Sequence, residues 1–266
     1  MLGLTFRAIV LTLAVAVASA VGAADPIDTL RDFCRLDGRG DRLLPRTWPN
    51  VAPLVSWKLE PAWDEVILVD GYQLGSVRYE ADGGATLDVT YEVTATVRAG
   101  AILRDAHEET RIYHLEVNEN GLSRILGPPP PPHVFATAVD ADSMAMSLHP
   151  ENGQFLSDSV FVWQFLAGAG WNVSPFATHD IASVPELSEV RTPQAGDIVV
   201  YYDGEQPYHI GVLESEDVVL SATLNAGVRR APLDAFAGTV QYRRPRADAR
   251  KPTPAPTSSA NPNPKH

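Results

Sequence analysis

Hydrophobic and polar residues alternate most regularly between Ala85 and Arg98, "ATLDVTYEVTATVR". Leu87, Val89, Tyr91, Val93, Ala95 and Val97 fall on one side, and Asp88, Thr90, Glu92, Thr94 and Thr96 on the other. A period of two with one apolar side predicts an antiparallel strand that has one buried and one wet face. "EVILVDGYQLGSVRYEA" (65–81) predicts a second strand, bent at Gly71 or Gly75, and "RIYHLEVNENGLSRIL" (111–126) a hairpin turning at Asn118–Gly121. Ahead of these strands, Leu30, Phe33 and Cys34 stand at helical spacing, and a second helix is predicted in "RTWPNVAPLVSW" (46–57).

Helices followed by a long bent sheet make residues 24–126 one α+β unit. "GPPPPPHV" (127–134) predicts a stiff break between units, or alternatively a rigid final turn of the first, because consecutive prolines continue neither a helix nor a central strand. In residues 135–245 a helical stretch, "FATAVDADSMAMSLH", is followed by a second, "FLSDSVFVWQFLAGAGW", which is apolar almost all round. Short strand-like pieces follow, "DIVVYYD", "YHIGVLES", "DVVLSAT" and "VQYRR", which predict a helix packed on a small antiparallel sheet of five or six strands. Residues 246–266, rich in Pro, Ala, Ser, Thr and Asn, hold nothing that could form a core and predict a disordered, basic tail.

Composition narrows the function classes. The 266 residues carry a net charge of −12, which argues against a nucleic-acid partner. Residues 1–23 combine Arg7, an apolar run from Ala8 to Val17 and small residues at Ala18–Ala23, the layout of a secretory signal peptide. The expected location is therefore secreted or periplasmic, with no membrane span once the signal is removed. Cys34 is the single cysteine, so no internal disulfide is possible, and its helical surroundings predict a buried, inert thiol. His107, Glu108 and His114 have no metal-ligand spacing, and Asp64, Asp70 and Tyr72 could line a cavity or lie on the surface. No cofactor and no metal is expected.

The order of elements in 24–126 resembles the NTF2-like family, which implies a bent antiparallel sheet whose packed helices leave a cone-shaped cavity. Three stretches of the second unit carry a more specific likeness. Phe161-Val162 lie behind Ser157-Asp158-Ser159 at the start of the apolar helix, Pro193-Gln194-Ala195-Gly196-Asp197-Ile198-Val199 enter a strand, and His209-Ile210-Gly211-Val212 enter the next. In order and spacing these are similar to the NlpC/P60 family of papain-like cell-wall peptidases and its amidase relatives. The likeness implies a thiolate at the helix N-terminus, a histidine that transfers protons and a third polar residue that orients it.

This chain departs from that pattern at the decisive place. The cysteine position falls on Asp158, His209 is kept, and the third residue falls at Ser221, with Thr223 as an alternative. A carboxylate suits a helix N-terminus but is a weak nucleophile towards an amide, and beside His209 it would hold the imidazole charged. The reading is therefore an exported bacterial pseudoenzyme that binds a peptide or cell-wall (peptidoglycan) fragment without cutting it. Its marked residues are Ser157, Asp158, Ser159, His209 and Ser221. Two rivals stand beside it. One is a working envelope peptidase or amidase that uses Ser159 or a water activated by the Asp158–His209 pair, with His179 and Asp180 as further candidates if a metal were held there. The other is a docking module for an envelope protein partner.

Overall fold

The computed structural model describes residues 25–98, 100–117, 122–148 and 157–251. The expected signal peptide, the turn at 118–121 and the last fifteen residues lie outside them. The described chain is mixed α+β with two sheets, one of them curled into a half-barrel.

Helix α1 (Pro26–Gly38) is capped by Asp25, whose side chain accepts from Ile27 N. The second predicted helix is only a turn, α2 (Trp48–Val51), continued by a 3₁₀ turn at Ala52–Leu54. Pro49 and Pro53 each fit a first turn but cannot continue a longer helix. The first sheet contains β1 (Glu65–Tyr79), β2 (Ala85–Arg98), β3 (Ala101–Leu103), β4 (His107–Val117), β5 (Ser123–Ile125) and β6 (His133–Phe135). Its order is β5-β4-β2-β1-β6, with β3 also on β2. Pairing is antiparallel except for β1 with β6. The register of β1 slips between Leu68 and Gly71 and again between Leu74 and Val77, so irregularities bracket both glycines and curl the sheet. Leu87, Val89, Tyr91 and Val93 face α1 in one core with Phe33, Tyr113 and Leu115.

Three expected boundaries are corrected. The proline run is not a free break: Pro129, Pro130 and Pro132 are buried, Pro132 O accepts from Ile67 N, and the chain goes straight into β6. Helix α3 (Ala141–Leu148) belongs with the first sheet, because Ala145 and Leu148 pack on Val66, Leu68, Ala95 and Val97 at its back. Residues 246–251, expected as the start of the tail, are ordered against the second unit. A turn at Ala247–Ala249 follows the last strand, Asn172 N donates to Ala249 O, Lys251 N donates to Gly170 O, and the Arg250 guanidinium lies 5.2 Å above the Trp171 ring.

The second sheet comprises β7 (Leu187–Val190), β8 (Ile198–Asp203), β9 (Gln206–Ser215), β10 (Val218–Thr223), β11 (Gly227–Pro232) and β12 (Thr239–Pro245), in the order β11-β10-β9-β8-β12-β7. Helix α4 (Asp158–Gly168) covers one face, where Val162 and Leu166 meet Ile198, Val200, Ile210 and Val212. The other face is covered by Phe236 and by Trp63, which comes from the segment just ahead of β1.

That segment stitches the two sheets together. Asn225 Nδ2 donates to Lys58 O, Glu60 N to Asn225 Oδ1, Leu224 N to Glu60 O, and Asp158 N to Ala62 O. Beneath it lies Arg42, fully buried among the Phe33, Trp57 and Trp63 rings. Arg42 Nη2 bonds Glu60 Oε1 at 2.6 Å, and Glu60 also accepts the indole N–H groups of Trp57 and Trp63. Burial opposes the charge on Arg42, but Glu60 and Asp37 outweigh it and raise the guanidinium's pKa. The Tyr91–Tyr113 hydroxyl pair, 2.8 Å apart, is buried in the core of the first sheet as well.

Candidate functional site

Ser157, at the N-cap of α4, accepts from Val160 N at 3.2 Å, which satisfies one of the free donors of the first turn. Asp158 follows as the first helical residue. Its Oδ1 accepts from Ser159 N (2.7 Å) and Thr178 Oγ1 (2.9 Å). Its Oδ2 accepts from Ile210 N (3.1 Å) and meets His209 Nδ1 at 2.9 Å. An ionised carboxylate only accepts, so His209 Nδ1 is the donor, and Nε2 is turned towards Ser221 Oγ at 2.5 Å.

The row Asp158–His209–Ser221 depends on how closely the strands approach. Gly211 lies opposite Ser221 in the β9–β10 pairing. A Cβ on Gly211 would come within 2.5 Å of Val219 Cγ2 and 2.9 Å of Leu220 O, so only glycine lets β10 come near enough for Ser221 to reach the imidazole. The His-x-Gly spacing seen in the sequence therefore has a packing cause.

The structure thus brings together Asp158, His209 and Ser221, with Ser157 and Ser159 beside them. It also buries all five to 1% exposure or less. Phe236 lies 4.0 Å from the His209 ring and Tyr201 5.6 Å from it. The expectation that these five side chains contact a ligand is therefore corrected: helix, sheet and the Trp63 segment close over them. Ser159 does not meet His209. Its hydroxyl bonds Ser157 Oγ at 3.2 Å, while both ring nitrogens of His209 are engaged elsewhere. Thr223 Oγ1 donates to Gly227 O instead of turning to the imidazole.

Other residues singled out in the sequence have structural roles. Asp197 accepts from Gln194 N and holds Arg244 of β12 through two bonds, at 2.7 and 2.8 Å. His179 bonds Asp180 at 3.0 Å, and it is the neighbouring Thr178 that reaches Asp158. Among the described residues no three His, Cys, Asp or Glu side chains converge as metal ligands would. Cys34 is buried against Tyr91, and burial pushes its thiol up to about 12, far from a reactive thiolate. Asp70 and His107 are exposed, and Tyr72 stacks on Phe135.

Of the residues offered in the sequence as possible cavity lining, Asp64 does line a space beside the buried row, which sequence reasoning otherwise missed. A cleft of about 270 Å³ opens at the seam between the two sheets, and Asp64, Thr178, Arg98, Arg111, His179 and Tyr208 help to line it. Asp64 and Thr178 separate it from Asp158: Asp64 Oδ2 accepts from Thr178 N at 2.7 Å, while the Thr178 hydroxyl faces the other way, to Asp158. Burial, aided by the nearby charge of Asp158, pushes the Asp64 carboxyl up to about 7. The cleft is built from residues far apart in the chain, and no periodicity signals it.

No protein-family model matches the chain. No curated protein matches its sequence either. The functional reading therefore rests on the geometry and on the motif resemblance.

Proposed function

We propose that this chain is an exported bacterial protein, made with a signal peptide, whose NTF2-like unit is joined to a papain-like NlpC/P60-type unit that binds a short peptide or cell-wall fragment without cutting it. One observation carries this reading: the acid at the nucleophile's position takes four hydrogen bonds and is sealed with its histidine under Phe236. A carboxylate with all four donors in place is a structural anchor, and an imidazole closed off from solvent has no substrate to protonate. The ligand then binds in the seam cleft, one residue layer away, with the old row as its rigid floor.

The test is to incubate the purified protein with cell-wall fragments, measuring binding by calorimetry and release of new amines by a colorimetric assay. Binding without new amines is the expected result. Amine release that disappears in His209→Ala overturns the non-catalytic reading.

A second reading has one observation in its favour. The bonds from carboxylate to Nδ1 and from Nε2 to a serine hydroxyl are the connectivity of a Ser-His-Asp hydrolase, with Ser221 as nucleophile. Labelling of Ser221 by a fluorophosphonate would favour it. No labelling is expected while Phe236 covers the ring.

A further inference from the structure

Two guanidinium groups line the seam cleft, and each is fixed in the same manner. Arg98 Nε lies 2.5 Å from Glu65 Oε2, and Arg111 Nε lies 2.6 Å from Glu109 Oε1. Neither makes a further hydrogen bond or ion pair through its terminal nitrogens among the described residues. The side chains are 34% and 28% exposed, so the unused Nη groups are partly open to solvent. His179, on the cleft wall, has a buried Nδ1 with no hydrogen-bond partner. A guanidinium held at Nε and free at Nη has little freedom left to lose, and its open edge matches a carboxylate in two parallel bonds.

We infer that the seam cleft receives the free carboxylate end of a short peptide, with Arg98 and Arg111 holding the two carboxylate oxygens and Trp63, Tyr208 and Pro207 enclosing the last side chain. This rests on the peptide-binding reading above and names which part of the ligand is read. The size agrees with a chain terminus: the volume is slightly below the roughly 300 Å³ at which ordinary ligand pockets begin. The two ion pairs, Arg98–Glu65 and Arg111–Glu109, balance in charge, and what favours an anion is that each arginine keeps unused Nη donors at the cleft. Asp64, the remaining acid on the floor, accepts from Thr178 N at Oδ2, and burial pushes its carboxyl up to about 7. Asp203 lies at the rim, on the exposed end of its strand.

The experiment uses calorimetric titration of the whole mature protein with N-acetyl-alanyl-alanine, the same peptide with a C-terminal amide, and inorganic phosphate. The acid is expected to bind at least tenfold more tightly than the amide and to compete with phosphate only weakly. Arg98→Gln and Arg111→Gln are each expected to lose tenfold or more, and Arg111→Lys to recover only part, with melting temperatures within a few degrees of the parent. Equal binding of acid and amide overturns the inference. Phosphate binding as tight as that of the acid overturns it too, since the site would then read any oxyanion. The two levels are separable. Cell-wall fragments that bind the arginine variants as well as the parent refute the carboxylate inference and leave the binding function standing. Binding of the dipeptide acid but of no cell-wall fragment refutes the cell-wall assignment and leaves the inference standing.

Discussion

Asp158 accepts from two backbone N–H groups, one hydroxyl and one imidazole, all away from water. Asp158→Ala leaves those donors buried and unpaired, and the expected loss is about 3–5 kcal/mol, since each buried donor left without an acceptor costs about 1–3 kcal/mol. Denaturant unfolding checks it, with Asp158→Asn losing less because one oxygen remains. Asp64 gives a pH signature. Its carboxyl titrates near 7 in the folded protein, against a reference value of 3.8. Between about pH 4 and 7 the unfolded chain therefore binds fewer protons than the folded one, and stability falls as pH rises through that window and levels off above it. Asp64→Asn keeps an acceptor for Thr178 N and removes the charge. It is expected to flatten the slope and to be a few kcal/mol more stable than the parent at pH 8, measured by urea melts across the range. At this scale the site was partly legible. A small polar cluster at the head of an apolar helix drew attention to Asp158, and the family resemblance pointed to His209 and Ser221. Their complete burial was not legible, because the covering residues, Trp63 and Phe236, lie far away in sequence on either side.

Elements with strong periodicity were readable and weak ones were not. The alternation in β2 named Leu87, Val89, Tyr91 and Val93 as one buried face, but a register shift between Val93 and Ala95 turns Ala95 and Val97 to the back of the sheet, against α3, and no alternation signals such a bulge. Strand β11 was missed: Val228, Arg229 and Arg230 are all exposed at the sheet edge, so no alternation marks it. Helix α3 was foreseen as a helix and placed in the wrong unit, since amphipathicity shows that a face is buried but not against which sheet. The approach of β10 to β9 makes a prediction of its own. Gly211→Ala forces a methyl group onto Val219 and the Leu220 carbonyl, with an expected cost of about 1–3 kcal/mol for overpacking. Ser221→Ala removes one hydroxyl from the same place and is expected to cost about 1 kcal/mol. Thermal melts of the two variants, compared with the parent, test whether strand separation outweighs loss of the hydrogen bond.

Across the whole molecule, the Lys58–Asp64 stretch is bonded into the second sheet while its neighbours on both sides belong to the first. Glu60 is central to this, since it accepts from Arg42, Trp57 and Trp63 with no exposure of its own. The two sheets are therefore expected to unfold in a single transition, with far-ultraviolet dichroism and tryptophan fluorescence giving the same midpoint. Glu60→Ala is expected to cost about 3–5 kcal/mol by stranding a buried guanidinium. If Glu60→Ala separates the two midpoints, the acid is what couples the sheets. This seam had no signature in the sequence, because its residues follow no period and were overshadowed by the proline run that looked like the boundary.

The four bonds on Asp158 also bear on how the chain could change over generations. A single codon change to cysteine at 158 would abandon four donors and deliver a sulfur with no route to solvent. A reactive thiol there would also need a change at Thr178, which bonds Asp158, and an uncovering at Phe236, which covers the histidine. No single replacement at 158 therefore opens the row to solvent, and the arginine-lined recess outside it is the part of this region that a solute reaches first.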